Sequence, residues 1–306
     1  MADEVMLYLN PHPDGIYVDC TVGDGGHAAA ICSRLTGKGF LIGIDRDSES
    51  LKRAEEKLNK LKSCEGRYRL FKEEFANIDL VVEEAGYEKV DGMLFDLGIS
   101  SNQVDESSRG FSFKQDGPLD MRMDGKGQLT AADIVNNYSL EDLTRIFREY
   151  GEEKWAARIA AFIIDHRKEN EINSTSQLVS IIQAAVPVGA RQKGKHPARR
   201  CFQALRIAVN RELEQLKEAL SRSLDLLNSG GVICVISYHS LEDRIVKQFL
   251  REKSEGCKCP PRLPQCVCGK LPEIELLIRK GVKPSSEELS LNSRSRSAVL
   301  RAGRKK

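Results

Sequence analysis

A glycine-rich turn follows an acidic residue near the N-terminus. The segment DCTVGDGGH, residues 19–27, lies between a short β-rich run and a helix-like run. Small residues at a strand-to-helix turn allow a ligand to approach the backbone, and Gly23, Gly25 and Ala28 fit the loose pattern G-x-G-x-x-G/A. Asp45 ends the next apolar run about twenty residues later, where a carboxylate suits a ribose hydroxyl. The spacing indicates a nucleoside cofactor, and a tight turn without a ligand is the simpler alternative.

Two acids at strand ends favour S-adenosylmethionine over a dinucleotide. Asp19 ends the first apolar run and Asp96 ends the fourth. A pyrophosphate disfavours negative charge at these positions, whereas a cofactor with a sulfonium and an ammonium tolerates it. Phe75 follows the third run, where it is either a cover for adenine or a core aromatic residue.

Strand-like and helix-like runs alternate through the first hundred residues. The four β-rich runs are Ile16–Cys20, Phe40–Asp45, Arg67–Glu73 and Val90–Gly98. Helical periodicity between them predicts a parallel sheet with helices on both faces, and near-continuous apolar strands agree with burial on both sides. A fifth strand is expected at Gly231–Tyr238. Ile274–Ile278 and Ser297–Gly303 are candidates for two final strands.

A loop rich in Gly, Asp and Ser interrupts this alternation at 107–127, and a helical region follows it up to Pro187. Ser139 and Ser174 are expected helix caps, and a long single helix is expected over 203–231. Ser240 with Asp243 is expected to form a capping box for the helix after the fifth strand. We therefore predict a discontinuous α/β domain, 1–104 and 203–306, with an inserted loop and helical substrate-recognition domain at 105–202.

Composition limits the function classes. The chain has 306 residues, of which 41% are hydrophobic, and a formal net charge of +2. It contains no apolar run of about 18 residues and no N-terminal signal-peptide pattern, so we expect neither a membrane span nor secretion. Five of the nine cysteines are scattered, which is typical of a reducing cytoplasmic compartment.

Basic residues are concentrated in two segments without acids. The insertion basic window, 189–211, has seven Lys or Arg residues, and the C-terminal basic window, 292–306, has six. Such segregation predicts a surface that faces a polyanion, and a solvated flexible loop is the alternative. A separate cluster of four thiols, Cys257, Cys259, Cys266 and Cys268, predicts either a structural zinc site or a metal-free flexible loop.

Longer motifs identify a family. The segments YVDCTVGDGGH, GIDRD, VDGMLFDLGISSNQVDESSRGFSFKQDGPLDMRMD, ALRIAVNREL and VISYHSLEDRIVKQF resemble the RsmH (formerly MraW) family. The resemblance implies a class I S-adenosylmethionine-dependent methyltransferase, with a Rossmann-like, mostly parallel seven-stranded sheet and an inserted helical domain. It also implies methylation of N4 of a decoding-site cytidine in 16S ribosomal RNA of the small subunit. The implied cofactor contacts are Gly25, Gly26, His27, Asp45, Phe75, Asp96 and Gln103.

The reaction suggests further roles. The lone pair of cytosine N4 is delocalised, so an acceptor for its N–H hydrogen bonds is needed, and Asp96 or a nearby backbone carbonyl is the candidate. Tyr238 and His239 are candidates for contact with an extruded base, although an exposed loop histidine is equally compatible. The expected phosphate contacts are Arg109, Arg122, Arg191, Lys193, Lys195, Arg199 and Arg200.

Three alternative functions stay open at this point: a small-molecule methyltransferase, a dinucleotide-dependent oxidoreductase and a non-catalytic RNA-binding protein that retains the cofactor fold. The sequence leaves the oligomeric state, monomer or homodimer, undecided.

Overall fold

Seven strands form one sheet in the computed structural model, which describes residues 1–125, 127, 129–191, 196–256, 259 and 268–306. The strands are β1 Ile16–Asp19, β2 Phe40–Asp45, β3 Tyr68–Lys72, β4 Val90–Asp96, β5 Leu227–Ser237, β6 Ile274–Leu276 and β7 Val299–Lys305. Their order is β3-β2-β1-β4-β5-β7-β6. The first five strands are parallel, and β7 runs antiparallel to both of its neighbours. This topology is that of a class I methyltransferase and confirms the predicted fold class.

Helices connect and follow the strands. They are α1 Ala2–Leu9, α2 Gly26–Cys32, α3 Ser48–Asn59, α4 Ile78–Glu84, α5 Ser101–Asp105, α6 Ala131–Asn137, α7 Leu140–Glu149, α8 Ala156–Arg167, α9 Thr175–Ala185, α10 Ala198–Asn210, α11 Glu212–Leu226, α12 Ser240–Ser254 and α13 Ser286–Leu291. Within the described part of the chain, none of them combines the length and apolar character needed to cross a bilayer.

The chain divides into two compact units. The sheet unit comprises Met1–Gly98 and Leu213–Lys306, and the helical unit comprises Ile99–Glu212. Apolar side chains of the sheet unit form two core clusters. One contains Leu41 and Leu94, and the other contains Ile42 and Phe95. Residues that alternate along one strand thus point to opposite faces, as expected for a sheet covered on both sides.

The helical unit has its own core, built from α6 to α10 together with residues of the preceding loop. The Oγ of Ser139 accepts a hydrogen bond from the Asp142 N–H at 3.0 Å and begins α7. Ser174 and Gln177 form a reciprocal capping box at the start of α9. Both helix starts were predicted from the sequence, because a hydroxyl followed three residues later by a polar acceptor satisfies otherwise unpaired amides.

The predicted long helix over 203–231 is wrong. Arg211 adopts a left-handed conformation, with φ of 49°, and separates α10 from α11. The boundaries between the two compact units lie at 98/99 and 212/213. The sequence predicted domain boundaries at 104/105 and 202/203. The difference arises because α10 packs into the core of the helical unit through Phe202 and Leu205.

Some predicted residues lie outside the described part of the chain. These are Lys193 and Lys195 of the insertion basic window and Cys257 and Cys266 of the four-thiol cluster. Zinc is therefore not part of the function proposed below.

Candidate active site

Asp19 lies at the carboxyl end of β1 and is 1% exposed. Its Oδ1 accepts a hydrogen bond from the Thr21 N–H at 3.2 Å, whereas its Oδ2 is buried without a partner among the described residues. Burial raises the pKa of Asp19 to about 7 because the charged form loses hydration. A buried carboxylate oxygen without a partner is costly, and a cationic ligand at this position would satisfy it.

The glycine turn between β1 and α2 is fixed by Asp45. The Gly23 N–H donates to Asp45 Oδ2 at 2.8 Å, and the Asp47 N–H donates to Oδ1 at 2.8 Å. Gly23 and Gly25 have φ of 51° and 74°, which glycine adopts without strain. Asp45 thus holds in place both the glycine turn before α2 and Asp47, the residue that caps α3.

Two neighbouring glycines differ in what surrounds them. A Cβ at Gly25 would lie 3.0 Å from the Cα of Ala54, so close packing excludes a side chain there. A Cβ at Gly26 would meet nothing within 4 Å. The first residue of α2 therefore borders open space, which leaves room for a ligand against the backbone.

Asp96, at the carboxyl end of β4, is held by three groups. Its N–H donates to Thr21 Oγ1 at 2.6 Å, and the Tyr238 hydroxyl donates to its Oδ1 at 2.9 Å. The Nε2 of His27 lies 3.5 Å from its Oδ2. Thr21, in the turn after β1, thus holds the backbone of Asp96. His27 of α2 and Tyr238 after β5 orient its carboxylate, while 27% of the side chain stays exposed.

The ionisation of the neighbouring groups matches this arrangement. Burial raises the pKa of Tyr238, and the adjacent Asp96 charge adds to this effect, so the hydroxyl stays protonated and remains a donor. Burial alone would lower the pKa of His27, but the hydrogen bond and charge of Asp96, with the charge of Asp19, raise it overall. His27 and the two carboxylates therefore form one electrostatically coupled group at this edge of the sheet.

These residues fit a cofactor that carries positive charge. The buried Asp19 oxygen calls for a donor or cation, and the open space at Gly26 admits a ligand. Phe75 lies just after β3, half-buried, with its ring edge-on to Phe95 at a centroid distance of 5.9 Å. Its packing against the core agrees with a core role, and its partial exposure leaves a face for a ring to contact.

His239 begins a helix. Its Nδ1 accepts a hydrogen bond from the Glu242 N–H at 3.4 Å, and its Nε2 lies 3.1 Å from Glu242 Oε1. The predicted capping box of Ser240 and Asp243 is therefore wrong: the cap lies one residue earlier, and Asp243 instead pairs with Arg301. The side chain of His239 is only 9% exposed and caps α12, and its contact with an extruded base stays a prediction.

Comparison with known proteins decides the family. The model of the MraW methylase family matches residues 1–306. The chain belongs to this family. A protein of Geotalea daltonii named ribosomal RNA small subunit methyltransferase H is 52% identical over 299 residues, which are 98% of this chain and 95% of the relative. One of the same name from Heliobacterium mobile is 50% identical over 306 residues, 100% of this chain and 97% of the relative.

A ribosomal RNA methylase from Streptococcus thermophilus aligns with a TM-score of 0.44 and 12% sequence identity, over 99% of this chain and 93% of that chain. The family match and the two relatives extend over nearly the whole chain, which includes both the sheet unit and the helical unit.

The cofactor contacts that the resemblance to the MraW methylase family implied divide between the units. Six of them lie at the carboxyl edge of the sheet or in the turns that follow it: Gly25, Gly26, His27, Asp45, Phe75 and Asp96. Gln103 lies in the helical unit, where its Oε1 accepts from the Ser100 N–H at 3.0 Å and completes the cap of α5. Its role toward a cofactor stays a prediction.

Arg109 and Arg122, two predicted phosphate contacts, have partners within their own loop. Arg122 donates to both carboxylate oxygens of Asp120, at 2.9 and 2.6 Å, and to the Gly127 carbonyl at 2.6 Å. Arg109 donates to the carbonyl oxygens of Arg122 and Met123 at 3.2 and 2.6 Å. These contacts give both guanidinium groups a structural role in shaping the loop.

Three arginines of the insertion basic window that were predicted to contact phosphate lie in the described part of the chain. Arg191 donates to the carbonyls of Gln183 and Val186 near the end of α9, and Arg200 donates to that of Glu152 at 3.2 Å. Arg199 is exposed. Contact with RNA stays a prediction for all three.

Sequence reasoning missed the link between Tyr238 and Asp96. Both residues lie at the ends of adjacent parallel strands, β5 and β4, where Asp96 is paired in register with Ile236. Strand ends of a parallel sheet meet at one edge, so a polar residue after each strand was the available signal.

Proposed function

We propose that this chain transfers the methyl group of S-adenosylmethionine to N4 of a cytidine in 16S ribosomal RNA of the small ribosomal subunit, in the cytoplasm. Membership of the MraW methylase family and the names of the relatives support methyl transfer to ribosomal RNA. The proposal that the methyl acceptor is an amino group rests on the oriented, partly exposed carboxylate of Asp96.

S-adenosylmethionine would supply an electrophilic methyl group on a positively charged sulfur. Asp19 and the open backbone at Gly26 would bind its charged amino-acid portion, Asp45 its ribose, and Phe75 its adenine. The fixed carboxylates at this sheet edge would repel the negatively charged pyrophosphate of a dinucleotide cofactor. The task of the protein is then to hold the acceptor nitrogen near the methyl group and to exclude water.

Asp96 acts on the acceptor. Its Oδ1 is engaged by the Tyr238 hydroxyl, so Oδ2 is the oxygen that accepts an N–H hydrogen bond from cytosine N4. This hydrogen bond would draw the nitrogen toward tetrahedral geometry. As the bond from N4 to the methyl carbon forms and the bond from that carbon to sulfur breaks, Asp96 Oδ2 would take up the N4 proton and S-adenosylhomocysteine would leave. His27, 3.5 Å from the same oxygen, stabilises the negative charge before the transfer.

The helical unit is proposed to recognise the substrate, with the insertion that the sequence placed at 105–202 as its main part. A base must leave its stack to reach the edge of the sheet, and contacts to the surrounding RNA keep the flanking nucleotides in place. Its exposed described cations in the insertion basic window are Arg191, Arg199 and Arg211.

The test is direct. Protein, S-adenosylmethionine labelled on its methyl group, and small subunits from a strain that lacks the gene are incubated, and the labelled nucleoside is identified after digestion. Label in N4-methylcytidine supports the proposal. Label in a ring-carbon or ribose product contradicts the Asp96 mechanism, and binding of subunits without label supports a non-catalytic RNA-binding protein.

A further inference from the structure

The C-terminal basic window separates into side chains with and without internal partners. Arg301 donates to both oxygens of Asp243 at 2.7 and 3.0 Å, and Arg304 lies 3.4 Å from Glu275. Lys305 donates to two carbonyl oxygens, at 2.6 and 2.7 Å, at the end of α11 and the start of β5. These three cations of β7 stabilise the sheet unit and are not available for a polyanion.

Arg296 is in a different environment. It is exposed and lies in the short 3₁₀ turn, Ser293–Ser297, that leads into β7. Its guanidinium has no hydrogen bond or ion pair with any other residue in the part of the chain that the structure describes. The end of the window that precedes β7 therefore presents an unneutralised charge to solvent.

Backbone pairing brings a second basic segment beside this turn. Val282 and Leu300 exchange both backbone hydrogen bonds, at 2.9 and 2.8 Å, so the chain around 282 runs along the start of β7. Arg279, Lys280 and Lys283 flank this pairing and are exposed. None of the three has an ion pair within the described ranges, and we call Arg279, Lys280, Lys283 and Arg296 the β7 basic strip.

The direction of β7 decides where this strip lies. Because β7 is antiparallel to β5, its first residue, Val299, is paired with Ser237, the last residue of β5. The next residue, Tyr238, donates its hydroxyl to Asp96. The strip is therefore at the carboxyl edge of the sheet, the same edge of the same unit as the candidate active site.

Acids near the strip neutralise little of its charge. Glu288 of α13 lies 2.7 Å from the N-terminal ammonium of Met1, and Asp243 is occupied by Arg301. Glu287 is exposed and offsets one charge. The four exposed cations of the β7 basic strip thus form a positive surface at the edge of the sheet that carries the candidate active site.

We propose that the β7 basic strip binds the phosphodiester backbone of the RNA strand that flanks the target nucleotide. The identity of the polyanion rests on the proposed function, whereas the surface itself follows from the pairing of β7. Phosphate contacts position a nucleic acid and supply affinity without reading its sequence. In this enzyme the sheet unit would then contact RNA directly, in addition to the helical unit.

The test compares two variants with the same change in charge. The strip variant combines R279Q, K280Q, K283Q and R296Q. The control variant combines K38Q, K57Q, K60Q and K62Q, four exposed lysines near the amino ends of β2 and β3. Binding of small subunits lacking the modification is titrated at several salt concentrations, and binding of S-adenosylhomocysteine is measured by calorimetry as a check on the fold.

The strip variant is expected to raise the KM for subunits about tenfold or more, with kcat and S-adenosylhomocysteine affinity close to wild type. Each lost phosphate contact should reduce the slope of log K against log salt by about 0.7 to 0.9. The control variant should bind as the wild type does. Unchanged binding of the strip variant, or equal weakening of both variants, would overturn the proposal.

The two proposals fail separately. If the wild-type protein binds subunits but transfers no methyl group, the proposed function falls, and the binding titration still decides the role of the strip. If transfer to N4 is intact in the strip variant at every salt concentration with an unchanged KM, the strip proposal falls and the function stands.

Discussion

The carboxyl edge of the sheet unit and the loop over 109–124 of the helical unit are both rich in charged residues, but they differ in what satisfies those charges. At the sheet edge, an oxygen of Asp19 is buried without a described partner and Gly26 borders open space. In the loop, Arg122 is bound to Asp120 and Gly127, and Arg109 to two carbonyls. At the sheet edge, a buried oxygen without a described partner beside open space indicates a ligand, whereas the contacts of the two arginines within their loop stabilise the loop.

The largest expected effect is at the sheet edge. Asp96→Asn keeps the shape of the side chain and can still accept from Tyr238, but it removes the negative oxygen that we propose receives the N4 proton. We expect methyl transfer in single turnovers to fall by about 10²–10³, with little change in thermal stability. Asp14→Asn is the control, because Asp14 precedes β1 and accepts a hydrogen bond from the Lys38 N–H before β2, at the opposite edge of the sheet. A rate within a factor of about three of wild type would remove Asp96 from the mechanism.

The loop should respond through stability. Arg122→Ala removes the side-chain donor of the half-buried Asp120 and of the Gly127 carbonyl, so we expect the free energy of unfolding to fall by about 1–3 kcal/mol. Arg145→Ala, which removes an exposed pair with Asp142 one helical turn away, should cost at most about 0.5 kcal/mol. Denaturant titration measures both. Unchanged stability with weakened RNA binding would instead make Arg122 a phosphate contact.

Adjacent glycines offer a sharper version of the same contrast. Gly26→Ala meets no protein atom, so the fold should be unaffected while affinity for S-adenosylhomocysteine falls about tenfold, a change of about 1.4 kcal/mol. Gly25→Ala should destabilise the protein by about 1–2 kcal/mol, since φ is 74° and Ala54 is too close. Calorimetry and thermal melts separate the two effects. Wild-type affinity in Gly26→Ala would show that the cofactor lies elsewhere.

The smallest expected effect is the change in the free energy of unfolding with pH. Burial raises the pKa of Asp19 from its ordinary value to about 7, so the folded protein binds a proton that the unfolded chain has already released. Stability contributed by this group therefore decreases as pH rises, and the raised pKa of His27 acts in the same direction. Between pH 6 and 8, Asp19 alone should lower the free energy of unfolding by about 1 kcal/mol.

Asp19→Asn should remove most of that slope, and chemical denaturation at a series of pH values measures it. Added S-adenosylhomocysteine, whose ammonium favours the charged carboxylate, should also flatten the wild-type profile. A wild-type protein that became more stable between pH 6 and 8 would contradict the buried, partner-poor environment of Asp19.

Much of the sheet unit could be predicted from sequence. Strands β1, β2 and β4 are largely apolar runs that end in an acid, and such runs are set by local composition and burial on both faces. Asp19, Asp45 and Asp96 were identified because each ends a strand, and parallel strand ends share one edge. That regularity needs no knowledge of distant contacts.

The rest depends on contacts between residues far apart in the sequence. The break at Arg211 has no glycine or proline to mark it, since a non-glycine residue takes the left-handed conformation there. The N-cap of α12 is His239, one residue before the predicted one, because His239 and Glu242 form the capping box. Asp243 instead pairs with Arg301, which is 58 residues away in the sequence. Likewise the sequence did not indicate the internal partners of Arg122 and Arg109, because backbone carbonyls carry no sequence signal, and contact of these arginines with RNA stays a prediction.

The reversed strand β7 also constrains the order in which the chain can fold. β6 precedes β7 along the chain, yet it joins the sheet only through β7, which lies between it and β5. During vectorial synthesis the five parallel strands can assemble first, while β6 must wait for residues made after it. Until then β5 presents an open edge, so maturation of the enzyme ends with the insertion of an interior strand and the simultaneous docking of its neighbour.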